Sequence, residues 1–153
     1  RDYGVVQYSL NGEGRPLNTT SVTGNSGQPD DQSVGAYDFK NDHIIYYADG
    51  KLTKVKRSDF SVAGTVTLAL PVSEYYINNT AVIYTGVKGK EAGILDYENK
   101  KVYLFDISGG KLTHTVNLPS NATVHEFFRF SFANGHIWLY DVNSRSWTGY
   151  KLF

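Results

Sequence analysis

The side chains able to do chemistry are few, and their spacing limits what they can do. The chain carries four histidines, His43, His114, His125 and His136. None forms a His-x-His pair or the His-Glu-x-x-His spacing that puts two imidazoles on one helix face. There is no cysteine, so disulfides and thiolate metal ligands are excluded. No metal centre and no cofactor is expected. The carboxylates Asp38, Asp96, Asp106, Asp141 and Glu126 are the candidates for glycosidase chemistry, for which two carboxyl groups suffice. Asp106 and Asp141, however, occupy matching places in an internal repeat, where aspartates commonly hold turns by accepting backbone N–H bonds. The Gly-x-Ser-x-Gly elbow of serine hydrolases is missing. Asp30-Asp31 sit in a polar stretch without the frame of a calcium loop and read as solvated. No catalytic residue is expected.

Binding chemistry has better material. The chain holds twelve Tyr, eight Phe and two Trp. Sugars are bound by an aromatic platform under their C–H face, with charged or amide groups on the hydroxyls. Trp147, flanked by Ser146 and Thr148 and preceded by Arg145, reads as an exposed ring. Trp147, Arg145, Asp141 and Tyr150 are therefore the candidate ligand-binding set. The competing reading makes Trp147 a packing residue between repeats. Phe128, Phe130 and Phe132 alternate with Phe127, Arg129 and Ser131, so the first three read as core. Trp138 lies in a run apolar on both faces and also reads as core.

These residues must be positioned by strands. Tyr, Phe, Val, Ile and Thr favour strands, and Asn, Gly, Ser and Asp supply turns. Strands are expected at 3–10, 17–22, 34–39, 44–48, 52–57, 65–70, 75–77, 81–87, 93–97, 102–107, 112–118, 125–132, 137–142 and 147–152. Asp49-Gly50, Gly109-Gly110 and Asn134-Gly135 mark tight turns between them. Such short connections imply antiparallel pairing. The 153 residues are read as one all-β domain with a polar loop at about 11–35.

An internal repeat runs through this pattern. Three segments align without gaps: Phe39 to Tyr47, Tyr97 to Asp106 and Phe132 to Asp141. Each reads as an aromatic strand end, an Asn-centred turn and a second strand apolar on both faces. A strand apolar on both faces must be covered on both. The Asn residues 41, 99 and 134 are 58 and 35 residues apart, and a degenerate copy at Ile77 to Tyr84 fills the longer gap. Spacings near 35–40 suit the four-stranded blade of a β-propeller. The expected fold is thus all-β, with antiparallel repeated strand-turn units, in a small or partial β-propeller-like arrangement. A β-sandwich or barrel is the alternative.

The last unit adds a family likeness. Ile137-Trp138-Leu139-Tyr140-Asp141, then five residues and Trp147, resembles the end of a kelch-type propeller blade. The resemblance covers about twenty residues, and the glycine pair that opens a kelch repeat is absent. It implies architecture and no activity.

Charge and composition exclude some partners. Fifteen basic and fifteen acidic residues balance, whereas nucleic-acid binding draws on a basic excess. No apolar run approaches the roughly 20 residues of a membrane-spanning helix. Asn18, Asn78 and Asn121 head Asn-x-Thr acceptor patterns for glycosylation. With no cysteine and no methionine, even at position 1, these point to a secreted, extracellular protein. The expectation is a non-catalytic binding module for a glycan or other extracellular ligand, lectin-like. One alternative is a self-assembling subunit of an extracellular filament or ring, since three to four blades leave open edges and favour a homo-oligomer. A glycan-acting propeller enzyme is the other.

Overall fold

The computed structural model describes residues 5–22, 27–30, 33–74, 77–78, 80–125 and 130–153. Among them are thirteen strands and no α-helix, so the all-β expectation holds. β1 (Val5–Leu10) and β2 (Pro16–Val22) form a hairpin, so the polar stretch expected at 11–35 contains a full strand. The Asn11 carboxamide oxygen closes the β1–β2 turn by accepting the backbone N–H groups of Glu13 and Arg15, both at 2.9 Å.

Three meanders follow, every pairing antiparallel. The first runs β3 (Ala36–Asp38), β4 (His43–Ala48), β5 (Lys51–Lys56) and β6 (Val62–Thr67). The second runs β7 (Val82–Tyr84), β8 (Ala92–Asp96), β9 (Lys101–Phe105) and β10 (Leu112–Asn117). The third has three strands, β11 (Phe130–Ala133), β12 (His136–Asp141) and β13 (Ser146–Lys151). Each sheet keeps sequence order, and none closes into a barrel. The strand expected at 75–77 is not formed at Ile77, and Tyr75 and Tyr76 lie outside the described residues, as do Asp31, Glu126, Phe127, Phe128 and Arg129. No helix among the described residues is long and apolar enough to cross a membrane.

The middle sheet is covered on both faces, as its unbroken apolar runs require. Val82, Ile83, Ile94, Leu95 and all of Val102 to Phe105 are buried. The first sheet adds Ile45, Tyr47 and Leu52 to this core, and the third adds Ile137 and Leu139. Full burial of each such side chain stabilises by about 1.5–3 kcal/mol. β7 touches both β3 and β11, so the first strands of the three sheets gather along one line. The far face of the first sheet carries a smaller cluster of Ile44, Tyr46, Val55 and Phe60. Gly27 lies against it so closely that a Cβ there would stand 2.7 Å from Val55 Cγ2.

The repeat turns share one device. The Asp38 carboxylate accepts the backbone N–H groups of Lys40 and Asn41 and the Asn41 amide. Asp96 accepts the Asn99 backbone N–H at 3.0 Å, its side-chain amide at 2.8 Å and the Tyr103 hydroxyl at 2.9 Å. Ser131 stands at the matching place in the third unit, and there a tight Asn134-Gly135 turn takes over, with φ of 52° and 73°. The turns do not fall at one place in their sheets. The first and third join β3 to β4 and β11 to β12, whereas the second joins β8 to β9. The repeat therefore marks a strand–turn–strand unit rather than a fixed position in the sheet, which accounts for its uneven spacing.

Burial makes the core phenols alkaline sensors. It raises Tyr47 to about 12. Burial, then the hydrogen bond to Asp96 and that group's charge, raises Tyr103 to about 12 as well. The unfolded chain ionises its tyrosines near pH 10, so it gains charge that the folded chain resists. Stability is expected to be level just below pH 10 and to fall steadily between pH 10 and 12. Urea midpoints across that range check this, and a midpoint unchanged at pH 11.5 would refute it.

Candidate functional site

β12 and β13 pair with Tyr140 opposite Trp147, Trp138 opposite Gly149 and His136 opposite Lys151. Side chains alternate along a strand, so these residues share one face. Ile137, Leu139 and Tyr150 occupy the other, which packs on the core. Among the described residues only that inner face is covered. Trp138 is consequently half-buried rather than core, because among the described residues none forms a second layer on the outer side of β12.

The outer face is a row of rings. Trp147 is 50% exposed, and its ring centroid is 5.3 Å from that of Tyr140, tilted by 54°. His136 and Trp138 follow on the same strand with centroids 6.1 Å apart. The rings are held in place. Trp138 lies over Gly149, where a Cβ would come within 3.0 Å of the indole carbons. Its indole N–H donates to the Ala133 carbonyl at 3.3 Å. His136 Nδ1 is 2.8 Å from the Asn134 carbonyl, which can only accept, so that nitrogen carries the proton.

The four residues singled out from sequence do not converge. Trp147 stands on the exposed face as expected. Arg145 is exposed at the β12–β13 turn with φ of 53°. Tyr150 is on the opposite face, partly buried against the core. Asp141, two residues along from Leu139, has that same inward parity, and its carboxylate accepts the Asn143 backbone N–H at 2.8 Å. That bond outweighs the opposing effect of burial and, with further bonds from Ser144 and Thr123, holds Asp141 below the usual carboxylate range. Tyr140, Trp138 and His136 complete the face and were missed. The signal that finds them is the Asn134-Gly135 turn, which fixes the register of β11 and β12, together with a glycine facing a tryptophan.

Asp38, Asp96, Asp106 and Asp141 serve turns. Asp106 accepts both the backbone N–H and the hydroxyl of Ser108. Asp38 and Asp96 are fully buried in the turns described above. Burial alone would raise Asp38, but bonds from the Asn41 side chain and the Asn41 and Lys40 backbone outweigh it. The Tyr84 hydroxyl lies beside Asp38, outside hydrogen-bond geometry, and is itself buried without a partner. Of the glycosylation candidates, Asn18 and Asn121 are exposed, while Asn78 is partly buried with its side-chain oxygen accepting the Thr80 N–H at 2.9 Å.

A concavity of about 490 Å³ lies between β3, β7 and β11. Its walls include Tyr37, Phe39, Tyr84, Phe130 and Phe132. Phe39 is 61% exposed and meets Tyr84 edge-on at 5.4 Å. Phe130 and Phe132, expected in the core, are partly buried at its edge.

The fold has a known counterpart. The chain superposes on glutaminyl cyclase from Myxococcus xanthus, a β-propeller-type enzyme, with a TM-score of 0.51 and 17% identity. The match covers 91% of this chain and 56% of the other, so the chain spans little more than half the length of that protein. At this identity the likeness concerns fold alone. No protein-family model matches the chain, and no curated protein matches it in sequence.

Proposed function

We propose that the chain is an extracellular β-propeller-type domain that binds carbohydrate without catalysis, its meanders acting as blades and its last unit being kelch-like. The observation that carries this is the exposed ring of Trp147 packed against the partly buried Tyr140, beside Trp138, on a sheet face that no described residue covers. Rings fixed in a row on a solvent-facing sheet offer the flat apolar contact that pyranose C–H faces seek. Contiguous exposed apolar surface of this kind marks interaction sites. Asp38, Asp96, Asp106 and Asp141 each hold a turn, which supports a non-catalytic reading.

A glycan array followed by calorimetric titration of the best ligand tests the reading. Trp147→Ala is expected to weaken binding at least about ten-fold, a change of roughly 1.4 kcal/mol. Its melting temperature should stay within a few degrees, since surface substitutions are nearly neutral. An array without hits at high protein concentration, or full binding by Trp147→Ala, would overturn it.

One observation favours a second reading, a self-assembling homo-oligomer. The third sheet has three strands where its neighbours have four, and the β1–β2 hairpin joins none of them. Free strand edges of this sort pair with other chains. Light scattering after size exclusion separates the two: a monomer supports the binding module, and an ordered oligomer supports assembly.

A further inference from the structure

We infer that the aromatic face takes an extended run of equatorially linked pyranose units lying along β12, and not a single terminal sugar. This rests on carbohydrate being the ligand. His136, Trp138 and Tyr140 occupy alternate positions of one strand, so all three rings emerge on the same face. At a strand rise of about 3.4 Å per residue, successive rings stand about 6.8 Å apart and the row spans about 14 Å. The 6.1 Å between the His136 and Trp138 centroids fits that interval. Trp147 broadens the Tyr140 end.

Among the described residues the face has platforms but no walls around Trp138. Trp138 is flanked across the sheet by Ser131 on β11 and Gly149 on β13, both too small to close around a ligand. A pocket for a terminal sugar needs such walls, because it must surround one ring and exclude its neighbours. An open row lets a chain run past either end. Equatorial linkages keep successive sugars in line, and although alternate units are flipped, both faces of an all-equatorial pyranose carry axial C–H groups and can lie on a ring. Axial linkages swing the chain off the row after one unit.

The rings are also ordered before any ligand arrives. The close approach of Gly149 lets the indole lie flat, and the bonds to the Ala133 and Asn134 carbonyls fix Trp138 and His136. Pre-ordered groups lose less entropy on binding. Several such platforms acting on one chain strengthen each other through linkage.

The test is titration with β-1,4-linked gluco-oligosaccharides of one, two and four units, using the whole chain and His136→Ala. His136 is half-exposed, so its truncation leaves the core intact. Affinity is expected to rise about ten-fold or more from the single sugar to the tetramer. His136→Ala should weaken the tetramer several-fold and leave the dimer, seated along β12 over Trp138 and Tyr140, unchanged. Equal affinity for one and four units, or an equal loss at every length, would overturn the extended-chain inference while sparing carbohydrate binding. Absence of binding to saccharides of any length or linkage would remove both.

Discussion

Replacing Gly110 by alanine is expected to destabilise the protein by about 3 kcal/mol or more, the sum of backbone strain and overpacking. For a domain of this size that corresponds to a fall of about 6–12 °C in melting temperature. Gly110 sits in the β9–β10 turn with φ of 70°, a conformation that L side chains avoid. Its backbone N–H donates to Asp106 and its carbonyl accepts the Ala69 N–H, each at 2.9 Å. The second of these bonds ties the middle sheet to the segment after β6 in the first. A Cβ at this position would collide with the Thr67 carbonyl, which is backbone and cannot swing away. Gly135 provides the control. It has φ of 73°, and a Cβ added there would meet nothing within 4 Å. Gly135→Ala should therefore cost only the conformational part, about 1 kcal/mol. Thermal denaturation of both variants checks the difference, and equal losses would show that contact between the two sheets at Gly110 is unimportant.

Asp96→Ala is the second large effect. Asp96 is fully buried and accepts three hydrogen bonds, from the Asn99 backbone, the Asn99 amide and the Tyr103 hydroxyl. Truncation leaves these donors without an acceptor, and the Tyr103 hydroxyl is enclosed in the core where water cannot replace the carboxylate. Unsatisfied buried donors cost about 1–3 kcal/mol each, but Asn99 lies near the surface and can turn to solvent, so the expected total is about 3 kcal/mol. Asp141→Ala, at an exposed turn, should cost about 1 kcal/mol or less. Denaturant unfolding of the pair distinguishes a buried polar bracket from an ordinary turn residue. A loss below about 1 kcal/mol for Asp96→Ala would mean that the turn holds without it.

Much of the fold was legible in the sequence for physical reasons. Asn-Gly and Asp-Gly pairs announce tight turns because their residues accept positive φ. The run from Val102 to Phe105 announces a strand covered on both faces because every side chain in it is large and largely apolar on either side of the sheet. The pairing of the repeat turns with Asp38 and Asp96 was harder to see. The Asp stands three residues before the Asn, outside the aligned core, and the third unit lacks it. Trp138 shows where pattern reading failed. Its neighbours Ile137 and Leu139 are buried, and the run looks apolar throughout, yet among the described residues only one side of β12 is covered. Exposure of one face is a property of the third sheet's surroundings, which no local pattern encodes.

The candidate site was legible in part. Trp147 could be picked out because small polar residues flank it. Tyr150 and Asp141 were placed with it by nearness in the chain, but strand parity sends both to the opposite face. Their place is taken by Tyr140 across the ladder and by Trp138 and His136 along it. The cleft between β3, β7 and β11 could not be anticipated, because its walls come from segments separated by some 45 residues each.

The chain has two tryptophans, Trp138 and Trp147, and both stand on the proposed binding face. The most direct measurement is therefore the pair of indole N–H resonances followed by NMR during titration with the tightest-binding oligosaccharide. Saturable shifts of both resonances, with the same dissociation constant as calorimetry, are the predicted result. Binding that leaves both resonances where they were would place the ligand elsewhere and contradict the assignment of this face.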